Sequence, residues 1–325
     1  MAQPAKTNVS GDEVVALLDT QGFFDLLKLP YPTQREGVLD KLASEQLIGK
    51  TSNGWNISRL AAILLAKRFE AFPLEVGRKA PRMVIYEGTG KLVTKDDKVS
   101  QKGYAVGFEA LIEAIHSAAP RNCFVEQVVR EELKMFPKQA LRELIANALV
   151  HQDFDESGSS VMIEMYQDRV EVSNPGKPPI KPERFIDEYR SRNERLGDLM
   201  RRLGICEEKG SGVDKVVQAA EDFQLPAPDF LVSDFRTTAI LYAHQNFSDM
   251  SKPDRIRACY QHCVLLYVNR KRMTNQSLRD RFHLPESKAA TVSLVIAATK
   301  DTGLIKVDES DSTSTRYARY LPIWA

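Results

Sequence analysis

The chain is predicted to be α+β, with a mixed sheet carrying helices on one face and smaller helical units on either side. Three observations predict this. Residues 139–151 place Leu141, Leu144, Ile145, Ala148 and Leu149 at the i, i+3, i+4, i+7, i+8 positions of a core-facing helix. Residues 160–166 and 169–173 alternate apolar and polar side chains around Gln167-Asp168, the pattern of a β-hairpin. Between 76 and 246 strand and helix patterns are interleaved, whereas both flanks read as helices followed by short strands.

Taken in chain order, residues 1–10 are expected to be disordered, and a first unit follows over 11–75. Its short amphipathic helices include 33–44. Strands at 47–51 and 55–58 then meet around Asn53-Gly54, a strong hairpin signal, and a further helix runs over 57–69. Helices followed by a hairpin suggest a winged-helix-like unit, serving either DNA contact or docking of the next domain. The middle unit, 76–246, opens with a strand at 82–86, a helix near 104–117 and a strand around 123–133 that leads into helix 139–151. After the hairpin come a proline-rich turn, a helix over 194–203, a glycine turn, a helix over 213–220 and a last strand near 237–242.

The third unit, 250–325, reads as a second winged helix. Helices are expected over 254–268, 275–282 and from Pro285 to about Thr299, with a wing built from 304–307 and 316–321. Residues 251–290 hold nine Lys or Arg against three Asp or Glu, a local positive face on which Arg279, Ser287, Lys288 and Thr291 are the candidates for duplex DNA. Against this, the expected wing tip carries Asp308, Glu309 and Asp311, which would repel phosphates.

Composition narrows the function classes. With 45 basic and 44 acidic residues the chain has no global pull toward nucleic acid or membrane. No apolar run approaches the roughly 20 residues that span a bilayer, and the first residues lack the blocks of a signal peptide, so a cytoplasmic location is expected. The four cysteines, Cys123, Cys206, Cys259 and Cys263, are too few for a disulfide framework. Cys259, His262 and Cys263 share a helix face, but a fourth zinc ligand is missing and their neighbours read as core. A P-loop motor is excluded, because no Gly-x-x-x-x-Gly-Lys-Ser/Thr segment occurs.

The chemistry concentrates on the 139–151 helix. Glu143, Asn147 and His151 follow one another at four-residue steps and so line one face. A carboxylate there can orient or deprotonate water, and an amide oxygen suits a hard cation such as Mg2+. Farther on, Lys209-Gly210-Ser211-Gly212 opens into a helix, and such a turn suits phosphate through converging amides and the helix dipole. An ordinary strand-to-helix turn would look the same.

Three segments together carry a resemblance. They are Leu141-Arg142-Glu143-Leu144-Ile145-Ala146-Asn147-Ala148-Leu149-Val150-His151-Gln152-Asp153-Phe154, Asp168-Arg169-Val170-Glu171-Val172-Ser173-Asn174-Pro175-Gly176, and Ile205-Cys206-Glu207-Glu208-Lys209-Gly210-Ser211-Gly212. In this order they resemble the nucleotide-binding boxes of the GHKL superfamily of gyrase, heat-shock chaperone, histidine kinase and MutL ATPases. More closely, the chain is similar to bacterial RecG-related putative transcriptional regulators with a divergent GHKL-like ATP-binding domain and a winged helix. The resemblance implies a GHKL-like α/β sandwich, ATP and Mg2+ as ligands, Glu143 as general base, and Asn147 as the metal ligand. It further implies Asn174 and Gly176 at the adenine box, Lys209, Gly210, Ser211 and Gly212 at the phosphate loop, and His151 as a box-end residue.

Asn174 departs from the aspartate usual at its position. Its oxygen can accept an amino-group hydrogen bond without the charge-assisted strength of a carboxylate. Residues 177–193 fall where a nucleotide lid would be, with Arg190 or Arg192 in reach of a phosphate.

Two readings follow: a nucleotide-responsive DNA-binding transcriptional regulator with weak ATPase activity at most, or a non-enzymatic interaction module on a scaffold that binds no nucleotide. By analogy with the superfamily, a homodimer is expected.

Overall fold

A computed structural model describes residues 3–126, 129–206, 212–309 and 318–325, with the backbone alone over 121–133. The chain begins with β1 (Pro4–Val9), α1 (Gly11–Leu17), α2 (Thr20–Leu26), α3 (Arg35–Ser44), β2 (Ile48–Thr51) and β3 (Gly54–Ser58). The strands form one sheet in the order β1-β3-β2. Residues 4–9 are thus not disordered: Pro4 pairs with Ser58 and Val9 with Trp55, and Ala5 and Val9 are buried. Gly54 explains why this hairpin needs its Asn-Gly, since its φ is 140° and a Cβ there would lie 2.5 Å from the Val9 carbonyl oxygen. The helix expected over 57–69 is shorter, α4 (Arg59–Leu65), because the Ser58 hydroxyl accepts the Ala61 amide as an N-cap and Ile57 belongs to β3.

The central unit follows with α5 (Leu74–Gly77), β4 (Arg82–Tyr86), β5 (Thr94–Val99), α6 (Tyr104–Ala118), β6 (Arg121–Glu126), β7 (Val129–Lys134), α7 (Lys138–His151), β8 (Met162–Met165), β9 (Arg169–Pro175), α8 (Glu194–Arg202), α9 (Gly212–Asp222), β10 (Asp229–Val232) and β11 (Arg236–Tyr242). A six-stranded mixed sheet runs β10-β11-β9-β8-β4-β5, in which β4 and β8 are parallel and the other neighbours antiparallel. The single strand expected around 123–133 is instead the hairpin β6–β7, which pairs only with itself.

Alternation along the strands gives the sheet two unlike faces. Met83, Ile163, Met165, Val170, Val172 and Leu241 point into the core under α6, α7 and α9. The other face holds a polar lattice. There Glu164 Oε1 accepts from the Tyr86 hydroxyl at 3.0 Å and Lys91 Nζ at 2.7 Å, and Arg236 Nη1 donates to the Ser173 hydroxyl at 2.6 Å.

One continuous core runs from Ala5 to Leu241, so the first two units share it, and the sequence-based boundary at 75 separates no independent core. Arg195 and Arg202 of α8 add to this seam through the Glu45 carbonyl and carboxylate.

The C-terminal unit has its own core and comprises α10 (Lys252–Val268), α11 (Asn275–Arg281), α12 (Ala289–Asp301), β12 (Ile305–Val307) and β13 (Tyr320–Pro322), with β12 and β13 antiparallel. Ile186, Val217 and Ala227 of the central unit complete that core.

Candidate functional site

The site is built on α7. Leu141, Leu144, Ile145, Ala148 and Leu149 are all buried, which fixes the helix roll and turns Glu143, Asn147 and His151 toward one cleft. The cleft encloses about 1110 Å³, including its open mouth. Its floor is Val172, Asn174, Thr237 and Ala239 of β9 and β11. Its far wall is Pro178, Pro179, Ile180, Phe185 and Tyr189 of the 177–193 connection, with Phe230 and Val213 beside them. Asn174 and Thr237 are register partners on the helical face of the sheet, which is why both reach the cleft.

Gly212 closes one end of the cleft. A Cβ on it would stand 2.9 Å from Glu143 Oε2 and 3.2 Å from Asn147 Nδ2, so backbone comes directly against the two polar groups of α7. Glu143 is only 7% exposed, and burial holds its carboxyl above the ordinary range, with Lys215 and Arg142 acting in the opposite direction. Burial lowers His151 to about 4, with Arg192 adding to the effect, so this imidazole is neutral at pH 7 and meets Tyr189 edge-on at 6.1 Å. Lys209, Gly210 and Ser211 lie outside the described residues.

The adenine-box end is held from below. Pro175 carbonyl oxygen accepts the Asp153 amide at 2.8 Å and Asn174 Nδ2 at 3.1 Å. With its nitrogen engaged there, Asn174 has its Oδ1 left as the acceptor. Gly176 has φ 95°, and a Cβ there would sit 2.7 Å from Asp153 Cβ and 2.9 Å from Arg192 Nη1. Arg192 pairs with Asp153 and donates to the Lys177 carbonyl, so it is a latch for this turn, while Arg190 lines the cleft. Asn193 Nδ2 caps the end of α7 by donating to the Val150 and Gln152 carbonyls at 2.7 and 2.8 Å.

Sequence reasoning missed Thr237, Arg201, Cys206, Tyr189 and Phe230 as lining residues. Thr237 had a signal in its alternation with Ala239 and Leu241 on the expected last strand, Cys206 in its place in the third segment, and Tyr189 in the 177–193 connection. Cys206 reaches the cleft with its thiol pushed up to about 12, by burial first and Glu143 second.

The C-terminal candidates are divided. Ser287 and Lys288 are exposed and Thr291 half-buried at the start of α12. Arg279 corrects the expectation of a DNA contact: it is buried, and its guanidinium donates to Asn275 Oδ1 and Gln276 Oε1, both at 3.1 Å. The positive face is also smaller than the residue count implied. Arg257 pairs with Asp229 and Asp254, Arg281 is buried against Glu221, and Arg272 pairs with Asp308 at 2.7 Å. Asp308 is therefore turned inward rather than repelling at a wing tip; Glu309 is exposed, and Asp311 lies outside the described residues. His262 Nδ1 lies 3.0 Å from Glu221, and among the described residues no group of three or more His, Cys, Asp and Glu is placed to hold a metal.

Residues 158–241 match the family model described as "Putative ATP-dependent DNA helicase recG C-terminal", a RecG-related ATPase-like domain. The matched span contains Asn174, Gly176, Gly212 and Thr237, and Glu143 and Asn147 precede it. Among solved structures, the DIP2311 protein of Corynebacterium diphtheriae has a similar fold, with a TM-score of 0.58 at 17% sequence identity. The alignment covers 94% of this chain and 60% of that one, so this chain spans about three fifths of its length. No curated protein matches. Among the described residues no helix is long and apolar enough to cross a membrane.

Proposed function

We propose that the chain is a nucleotide-responsive, cytoplasmic transcriptional regulator. In this reading its divergent GHKL-type domain binds ATP with Mg2+, and its C-terminal winged helix contacts duplex DNA. The observation that carries the reading is the meeting of Gly212 with Glu143 and Asn147 at one end of a cleft whose other end holds Asn174 over Gly176.

The residues suit the ligands. Asn147 would offer a hard oxygen donor beside Glu143, and Mg2+ takes few protein ligands and keeps its waters. Bound there, the ion would neutralise phosphate charge. Asn174 Oδ1 would accept a base amino group, while Arg190 would face phosphates. Glu143, held above the ordinary carboxylate range by burial, would be the base that takes a proton from water. Turnover is expected to be slow, since among the described lining residues only Arg190 and Arg201 bring fixed positive charge to the cleft.

Output to DNA would pass through Ser287, Lys288 and Thr291, in a homodimer by analogy with the superfamily. A second reading is favoured by the surface of α12. Its outward residues Ala290, Ser293, Leu294 and Ala297 include a leucine that is 72% exposed, which suits protein docking better than phosphate. In that version the C-terminal unit binds a protein and the scaffold needs no nucleotide.

Calorimetric titration of the full chain with ATP and Mg2+ tests the proposal. Saturable heat that Asn147→Ala weakens at least about tenfold, or about 1.4 kcal/mol, supports it. No heat with wild-type protein leaves the interaction-module reading in place.

A further inference from the structure

We infer that α9 carries the state of the cleft to the C-terminal unit, with Glu221 as the anchor where that unit reads it. The inference rests on the nucleotide-binding reading and adds its regulatory route.

The two ends of α9 meet different parts of the molecule. At its start Gly212 stands against Glu143 and Asn147 with no room for a side chain between, so a ligand engaging those groups meets helix backbone directly. Val213 both lines the cleft and packs on the C-terminal core. Along the helix Val216, Ala219 and Ala220 are buried in the first core, and Val217 in the second.

Near its other end Glu221 is clasped by two helices of the C-terminal unit. His262 Nδ1 of α10 lies 3.0 Å from both carboxylate oxygens, and Arg281 Nε of α11 lies 3.4 Å from Oε1. Both partners are buried. Arg281 also donates to the Leu225 carbonyl at 2.7 Å, and Gln261 Nε2 donates to the Pro228 carbonyl at 2.7 Å, so the chain leaving α9 is sewn to the same helices.

A helix transmits displacement because its backbone hydrogen bonds make it stiff along its axis. From Gly212 to Glu221 the rise is roughly 14 Å at about 1.5 Å per residue. At the far end, moving a carboxylate away from the buried Arg281 guanidinium leaves desolvated charge unpaired, which is strongly unfavourable. The clasp therefore favours two discrete positions over gradual sliding, as a switch requires. The 177–193 connection offers a competing route. Its Glu183 carbonyl accepts from the Tyr260 hydroxyl at 2.7 Å, and Arg184 stacks on Trp324 at 4.1 Å. That route joins the C-terminal unit through the half-buried Arg184 and the buried Ile186, whereas α9 joins it through buried charge.

Hydrogen exchange by mass spectrometry on the full chain, with and without saturating ATP and Mg2+, separates the routes, with binding measured in parallel by calorimetry. In wild-type protein, exchange in α10 and α11 should change at least about fivefold, the low end of typical allosteric coupling. Glu221→Gln should bind within about threefold of wild type and lose that change, and Arg184→Gln should retain it. If Glu221→Gln does not fold, His262→Gln is the replacement with the same expected result. Nucleotide heat without any exchange change in wild-type α10 and α11 overturns the coupling and spares the binding reading. So does a full response in the folded Glu221 or His262 variant. Absence of heat in wild type removes both.

Discussion

Gly212 and Glu143 are 69 residues apart in sequence and adjoin in space, with the ideal Cβ of the one 2.9 Å from Oε2 of the other. The glycine is needed for proximity here and not for an unusual backbone angle. Gly212→Ala should therefore weaken nucleotide binding at least about tenfold, because Glu143 must move. Thermal stability should be kept, since alanine is the better helix residue. Calorimetry and a melting curve check this, and unaltered affinity would contradict it.

Gly176 is a different case. Its φ of 95° and the 2.7 Å approach to Asp153 Cβ mean that Gly176→Ala meets both backbone strain and collision. A loss of roughly 1–3 kcal/mol is expected in urea unfolding. A variant as stable as wild type would show that the Asp153–Arg192 latch can yield.

His151 gives the fold a sensitivity to acid. Its folded-state pKa is lowered from 6.5 to about 4, so the folded protein holds fewer protons than the unfolded chain between those values. Its contribution to stability is complete above pH 6.5 and declines as pH falls toward 4. His151→Gln should flatten the stability profile in that window, and an unchanged slope would place the sensitivity elsewhere.

Asp214, in the first turn of α9, has the opposite sign. Burial, with Asp187 adding, raises it from 3.8 to about 6, so stability is greater below 3.8 and falls as pH rises to 6. Asp214→Asn should stabilise the protein above pH 6 by about 1 kcal/mol, well under the roughly 3 kcal/mol of an unscreened shift, because the group is only partly buried. Unfolding midpoints at pH 7.5 and pH 4 would show it: a gain at the higher pH only.

The polar stripe on α7, the 160–173 hairpin and the helices of the C-terminal unit were legible because each follows a single short-range period. β5 was not, since Thr94-Lys95-Asp96-Asp97-Lys98-Val99 is polar at every position but the last, as suits an exposed sheet edge. β1 was hidden for a related reason: it is held by pairing to a strand almost fifty residues away, which local pattern does not report. In the site, Glu143, Asn147 and Asn174 were readable from the box segments. The fate of Arg279, Arg281 and Arg272 was not, because charge in a sequence does not say which partner it faces. Arg281 is spent on Glu221 and Arg272 on Asp308.

The most direct test of the cleft as a nucleotide site is photoaffinity labelling of the full chain with an azidoadenine nucleotide and Mg2+, followed by peptide mapping. The account predicts adducts in the peptides that carry Val172 to Asn174 and Pro178 to Arg190, suppressed by excess ATP. ATP-suppressible labelling confined to other peptides, or none at all, would contradict it.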